Sequence, residues 1–106
     1  MAGEKQLGDV LQDIFDAKKN GALYVSIVET SEDLFRIYFK DGAIYHMRYG
    51  TAVGNECLEI LEYYTLYSAS FFQGIRSPEG QTSPDLPEAR EIIARIRKLD
   101  KPVKVR

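Results

Sequence analysis

The sequence predicts an α+β domain: a mainly antiparallel sheet of about four strands, an N-terminal helix, a helix before the last strand and a C-terminal helix. Three observations carry this. Strand-like alternation is grouped between Ala22 and Tyr49, with connections too short for parallel crossovers. The pair Asp41-Gly42 separates two of those runs, and Asp-Gly is the turn that a tight hairpin demands. Apolar residues at helical spacing lie on both sides of the strand block, which places helices before and after the sheet.

Taken in order, Leu7, Val10, Leu11, Ile14 and Phe15 recur at helical spacing and give an amphipathic first helix. Asn20-Gly21 is expected to end it, because both residues tolerate the left-handed conformation. Ala22 to Val28 reads as a strand with Leu23, Val25 and Ile27 on one side. Leu34 to Lys40 is a second strand, with Phe35, Ile37 and Phe39 on one face and Arg36 and Tyr38 on the other. Ala43 to Tyr49 completes the hairpin, and Gly50 to Gly54 reads as a loop. Asn55 to Tyr64 is helical, with Cys57, Leu58, Leu61 and Tyr64 on one side, and Thr65 to Gln73 returns to strand. These elements form a unit over residues 1–75, followed by a linker or loop over 76–85. Residues 86–106 hold a last amphipathic helix, through Ala89, Ile92, Ile93, Ile96 and Leu99, and a basic tail from Lys101 to Arg106. Asp85 and Glu88 have capping-box spacing before that helix. It is expected to pack on the same domain or on a second subunit.

Composition narrows the function classes. A chain of 106 residues has the length of one domain, and 44% hydrophobic with 28% charged residues suits a globular core. The net charge of -2 offers no general basic field, so nucleic acid is not an expected partner. One cysteine cannot close a disulfide within the chain, the first residues are polar, and no apolar run is long enough to span a membrane. Cytoplasmic residence without membrane insertion is the expectation.

No catalytic constellation emerges. Cys57 sits on an apolar helical stripe, where a thiol is an inert small hydrophobe rather than an activated nucleophile. One His and one Cys leave too few ligands for a metal centre, and neither a metal nor another cofactor is expected. Gly50 to Gly54 precedes a helix but lacks the Lys-Ser/Thr pair of a phosphate loop. Glu56, Glu59 and Glu62 read as one solvated helix face.

Several runs carry a family resemblance: Leu7-Gly8-Asp9-Val10-Leu11, Gly21-Ala22-Leu23-Tyr24-Val25, and Ile37-Tyr38-Phe39-Lys40-Asp41-Gly42-Ala43-Ile44-Tyr45-His46. With Gly54-Asn55-Glu56-Cys57-Leu58 and Ser68-Ala69-Ser70-Phe71-Phe72, they resemble the PatA N-terminal (PATAN) domain family over about residues 7–75. Cys57 stands where that family usually has a small residue. The resemblance implies a noncatalytic module of prokaryotic signalling, whose partner is a response regulator or another signalling protein. It supplies no catalytic residue or cofactor.

The residues themselves point to a surface. Seven tyrosines cannot all be core. If Leu23, Phe35 and Phe39 face the helices, Tyr24, Arg36 and Tyr38 face away, and Tyr with Arg is the composition enriched at protein interfaces. Either the last helix covers that face or a partner does. The interaction candidates are therefore Tyr24, Arg36 and Tyr38, with His46 and Arg48 on the next strand and Ile92 and Ile96 on the last helix for self-association as a homodimer. The alternative is a small-molecule sensor holding a ligand between sheet and helices, with His46, Arg48 and Tyr67 as polar groups.

Overall fold

A computed structural model describes residues 3–30 and 32–106. The elements run β1 (Glu4–Gln6), α1 (Leu7–Asp16), β2 (Gly21–Ile27), β3 (Phe35–Lys40), β4 (Ala43–Tyr49), β5 (Ala52–Val53), α2 (Asn55–Tyr63), β6 (Leu66–Gln73), a short 3-10 turn (Pro78–Gly80), α3 (Ala89–Arg97) and β7 (Pro102–Val105). The α+β class is as expected, but the sheet has seven strands in the order β1-β7-β6-β2-β3-β4-β5. Four of them are the strands expected from sequence. The other three, β1, β5 and β7, are two to four residues long. Alternation cannot announce itself over so few positions.

The basic tail is the largest departure. Pro102–Val105 lies inside the sheet, antiparallel to β1 and parallel to β6, which makes the sheet mixed. Val103 is buried among the core residues, and this apolar anchor holds the segment down.

Register assigns the two sheet faces. Leu23 lies beside Ile37 and Phe71, Val25 beside Phe35 and Ala69, and Ile37 beside Met47. All of these join the apolar core or pack against it, together with Leu7, Leu11 and Ile14 of α1, Leu58 and Leu61 of α2, and Ile92, Ile93 and Ile96 of α3. Side chains alternate across a strand, so the intervening residues face the other way. The helices thus share one face of the sheet. α1 and α3 meet closely at Gly8, where an added Cβ would lie 2.5 Å from the Arg97 Cγ, and Asp9 holds Arg97 at 2.8 Å beside that crossing.

Local punctuation follows sequence in one place and departs in two. Asp41 (φ 51°) and Gly42 (φ 83°) both take positive φ and form the expected hairpin turn. α1, however, stops before Asn20-Gly21. Lys18 takes the left-handed conformation (φ 51°), its N–H donates to the Phe15 carbonyl, and the Lys19 N–H reaches back to Ile14. That is the Schellman pattern with lysine where glycine is usual. Asp85 does not cap α3, which begins after Glu88 without a side-chain cap. Its carboxylate instead accepts from the Asn55 N–H at the start of α2. Gly54, at φ 65°, makes room for it, since a Cβ there would lie 2.1 Å from the Asp85 Oδ1.

Candidate functional site: the uncovered sheet face

The face opposite the helices is built by three ladder rows. In the central row Ser70 lies beside Tyr24, Tyr24 beside Arg36, and Arg36 beside Arg48. In the second, Phe72 lies beside Ala22, Ala22 beside Tyr38, and Tyr38 beside His46. In the third, Lys104 lies beside Ser68 and Ser68 beside Ser26, whose hydroxyl oxygens are 2.7 Å apart. Two β-bulges bring further aromatics here. The register shift after Tyr38 leaves Tyr45 as an extra residue, with its ring 6.3 Å from that of Tyr38. The shift beside Ile27 does the same for Tyr67, whose ring lies under the Lys104 ammonium at 4.8 Å and the Arg106 guanidinium at 5.9 Å.

The aromatics and cations interleave. Tyr24 tilts against Phe72 with centroids 5.1 Å apart, and Arg36 lies over the Tyr24 ring at 5.9 Å. Arg48 Nε donates to the Gly50 carbonyl at 3.0 Å. Among the described residues, ion pairs join Lys5 to Asp13, Glu62 to Arg95 and Asp9 to Arg97, and none involves Arg36, Arg48, Lys104 or Arg106.

One end of this face is closed by the segment from Arg76 to Asp85, which sequence reads as a linker or loop. It is a strap. The Ser77 N–H donates to the Tyr45 hydroxyl at 3.1 Å, and the Ser83 N–H donates to the Tyr45 carbonyl at 2.8 Å. Ser83 Oγ also lies 2.7 Å from His46 Nδ1 and 3.4 Å from the Met47 N–H. β5 pairs with β4 only at Arg48 and Tyr49, so Ser83 occupies the edge of β4 that β5 leaves open.

The candidate residues therefore divide. Tyr24, Arg36 and Arg48 share the open part of the face, each half-buried. Tyr38 and His46 belong to the same face but are each 2% exposed, His46 beneath the strap and Tyr38 against the Tyr45 and His46 rings. Burial, reinforced by the Tyr24 phenol, pushes the Tyr38 hydroxyl above the usual tyrosine value and keeps it neutral. Burial also holds the His46 imidazole below its ordinary value, with the positive Arg48 acting in the same direction. His46 Nε2 has no hydrogen-bond partner. His46 also requires correction as an interaction candidate, because Ser83 and Tyr38 bury it within the chain. Ile92 and Ile96 require correction as interaction candidates. They are 0% and 2% exposed within this chain, because α3 turns its apolar stripe onto α1 and the shared core. α3 leaves the Tyr-Arg face uncovered.

The groups expected to hold a ligand between sheet and helices do not converge there. That space is filled by core side chains, while His46 and Arg48 lie on the far face and Tyr67 sits beside β7. A groove of about 640 Å³ opens instead at the strand ends between the strap and β2–β4, with Phe39, Lys40, Tyr45, Ile75 and Arg76 among its lining. Cys57 is fully buried, its thiol donates to the Ala52 carbonyl at 3.4 Å, and burial raises its pKa to about 11. No helix among the described residues is long and apolar enough to cross a membrane.

Sequence reasoning missed Phe72, Lys104 and Arg106 as part of this surface. Val103-Lys104-Val105 does alternate, but three residues beside a charged terminus give too short a signal to separate strand from tail. Comparison with family models, with curated proteins and with solved structures finds no match to this chain.

Proposed function

We propose that this chain is a noncatalytic protein-interaction module whose docking surface is the uncovered sheet face around Tyr24, Arg36 and Arg48. The observation that carries the reading is the cross-strand row of tyrosine and arginines on a face that no helix covers. Such a row contributes little to the core, and its composition is that of interface hot spots. The PATAN resemblance points the same way and would make the partner a prokaryotic signalling protein. The test is affinity capture from cells that encode the chain, followed by mass spectrometry. Tyr24→Ala with Phe72→Ala should abolish retention of the captured protein, whereas Tyr63→Ala, at a side chain 86% exposed on the helical side, should retain it. Retention by both correctly folded variants would reject this surface.

A second reading, a small-molecule sensor, is favoured by the strand-end groove, whose about 640 Å³ lies in the range of ligand sites. A metabolite panel that raises the melting temperature of wild type but not of Lys40→Ala with Arg76→Ala would support it. A panel that moves neither protein would remove it.

A further inference from the structure

Arg36 and Arg48 sit directly opposite one another on β3 and β4. Like charges so placed destabilise a sheet, and neither residue makes an ion pair among the described residues. Lys104 and Arg106 form a second cationic rank on β7, three strand spacings from β3, or roughly 14 Å. Between the ranks the floor carries the hydroxyls of Ser26, Ser68 and Ser70 beside the Tyr24 and Tyr67 rings. Glu4 lies opposite Lys104 at the sheet edge, and among the described residues no ion pair joins an acid to Arg36, Arg48, Lys104 or Arg106. The chain nevertheless carries a net charge of -2, so its acids are gathered elsewhere, as on the exposed sides of α1 and α2. A cationic face on an acidic molecule is polarised towards an anionic partner.

We propose that this face binds an acidic segment of a partner protein, its carboxylates reaching the two cationic ranks. The inference rests on the docking reading above and adds the chemistry of the partner. Protein is favoured over single-stranded nucleic acid because the chain is acidic as a whole, with a net charge of -2, and gives no extended basic field for a phosphate backbone. Tyr24 is held between Phe72 and Arg36, while the Tyr67 and Phe72 rings, 45% and 46% exposed, offer apolar contact to the uncharged side chains of such a segment. Carboxylates need no stacking surface, and arginine binds them through two parallel hydrogen bonds.

The test is fluorescence anisotropy of the full chain with three labelled probes of equal length: a Glu/Asp-rich peptide containing Leu and Tyr, its Gln/Asn counterpart, and oligothymidylate. The acidic peptide should bind in a salt-sensitive manner, and more tightly than either other probe. Arg36→Gln with Arg48→Gln should weaken it about tenfold or more, a change of the size that charged contacts provide. Arg90→Gln with Lys98→Gln on the helical side should leave it unchanged. Equal binding of the acidic and neutral peptides, or tighter binding of oligothymidylate, would each overturn the proposal. If the acidic peptide fails while Tyr24→Ala with Phe72→Ala still abolishes capture, the surface stands and only the partner chemistry is wrong.

Discussion

His46 shows how a single side chain couples the strap to the sheet. Its Nδ1 meets Ser83 Oγ, its Nε2 is unpartnered, and the charged groups facing it reduce to Arg48 on its own strand, with Tyr38 across and Thr82 and Ser83 from the strap. A base whose folded pKa is lowered binds its proton more readily in the unfolded chain. Its contribution to stability is therefore complete above the unfolded value, about 6.5, and declines as pH falls through the lowered folded value. Urea midpoints measured from neutrality down to about pH 5, above the usual carboxylate range, should fall in wild type and fall less in His46→Gln. Equal slopes would show that His46 does not couple protonation to folding. Sequence placed His46 on the right strand but could not reveal its burial, because burial comes from Ser83, 37 residues away. Tyr24 and Arg36 were legible for the opposite reason, since alternation alone decides their side. Tyr67 was not, because a bulge breaks alternation without a sequence mark.

At the scale of elements, the long strands and helices were readable and the short ones were not. Phe35, Ile37 and Phe39 alternate over a full strand, and α1 repeats its apolar stripe across three turns. β7 has one fully buried residue, Val103, and takes the rest of its definition from the ladders with β1 and β6. Its structural role gives a sharp expectation. Ending the chain at Lys101 should lower the unfolding free energy by about 3 kcal/mol or more, combining the lost burial of Val103 with two broken ladders. Removing Arg106 alone should cost only about 1 kcal/mol, the loss of its N–H bond to the Ala69 carbonyl. A truncated chain with the wild-type urea midpoint would mean that residues 102–106 are the solvated tail their composition suggests.

Across the whole molecule, the helices of the described residues lie on one side of the sheet, and the other side is left to aromatics, hydroxyls and cations that make no ion pair among those residues. The last helix has no apolar stripe to offer a second subunit, which leaves the sheet face and the strand-end groove as the distinctive surfaces. The fold class and the composition of that face could be read from sequence. Its extent could not, because the strap, β7 and the bulges are settled by contacts far apart in the chain. The central claim is that the open face is where this protein meets its partner. It is tested most directly by titrating the isotope-labelled full chain with the Glu/Asp-rich peptide and following its backbone amide resonances. The account predicts shifts centred on Tyr24, Arg36, Ser68 and Lys104, with α1–α3 unmoved. Shifts concentrated on the helices or on the strand-end groove, with the β2 and β3 amides unchanged, would contradict it.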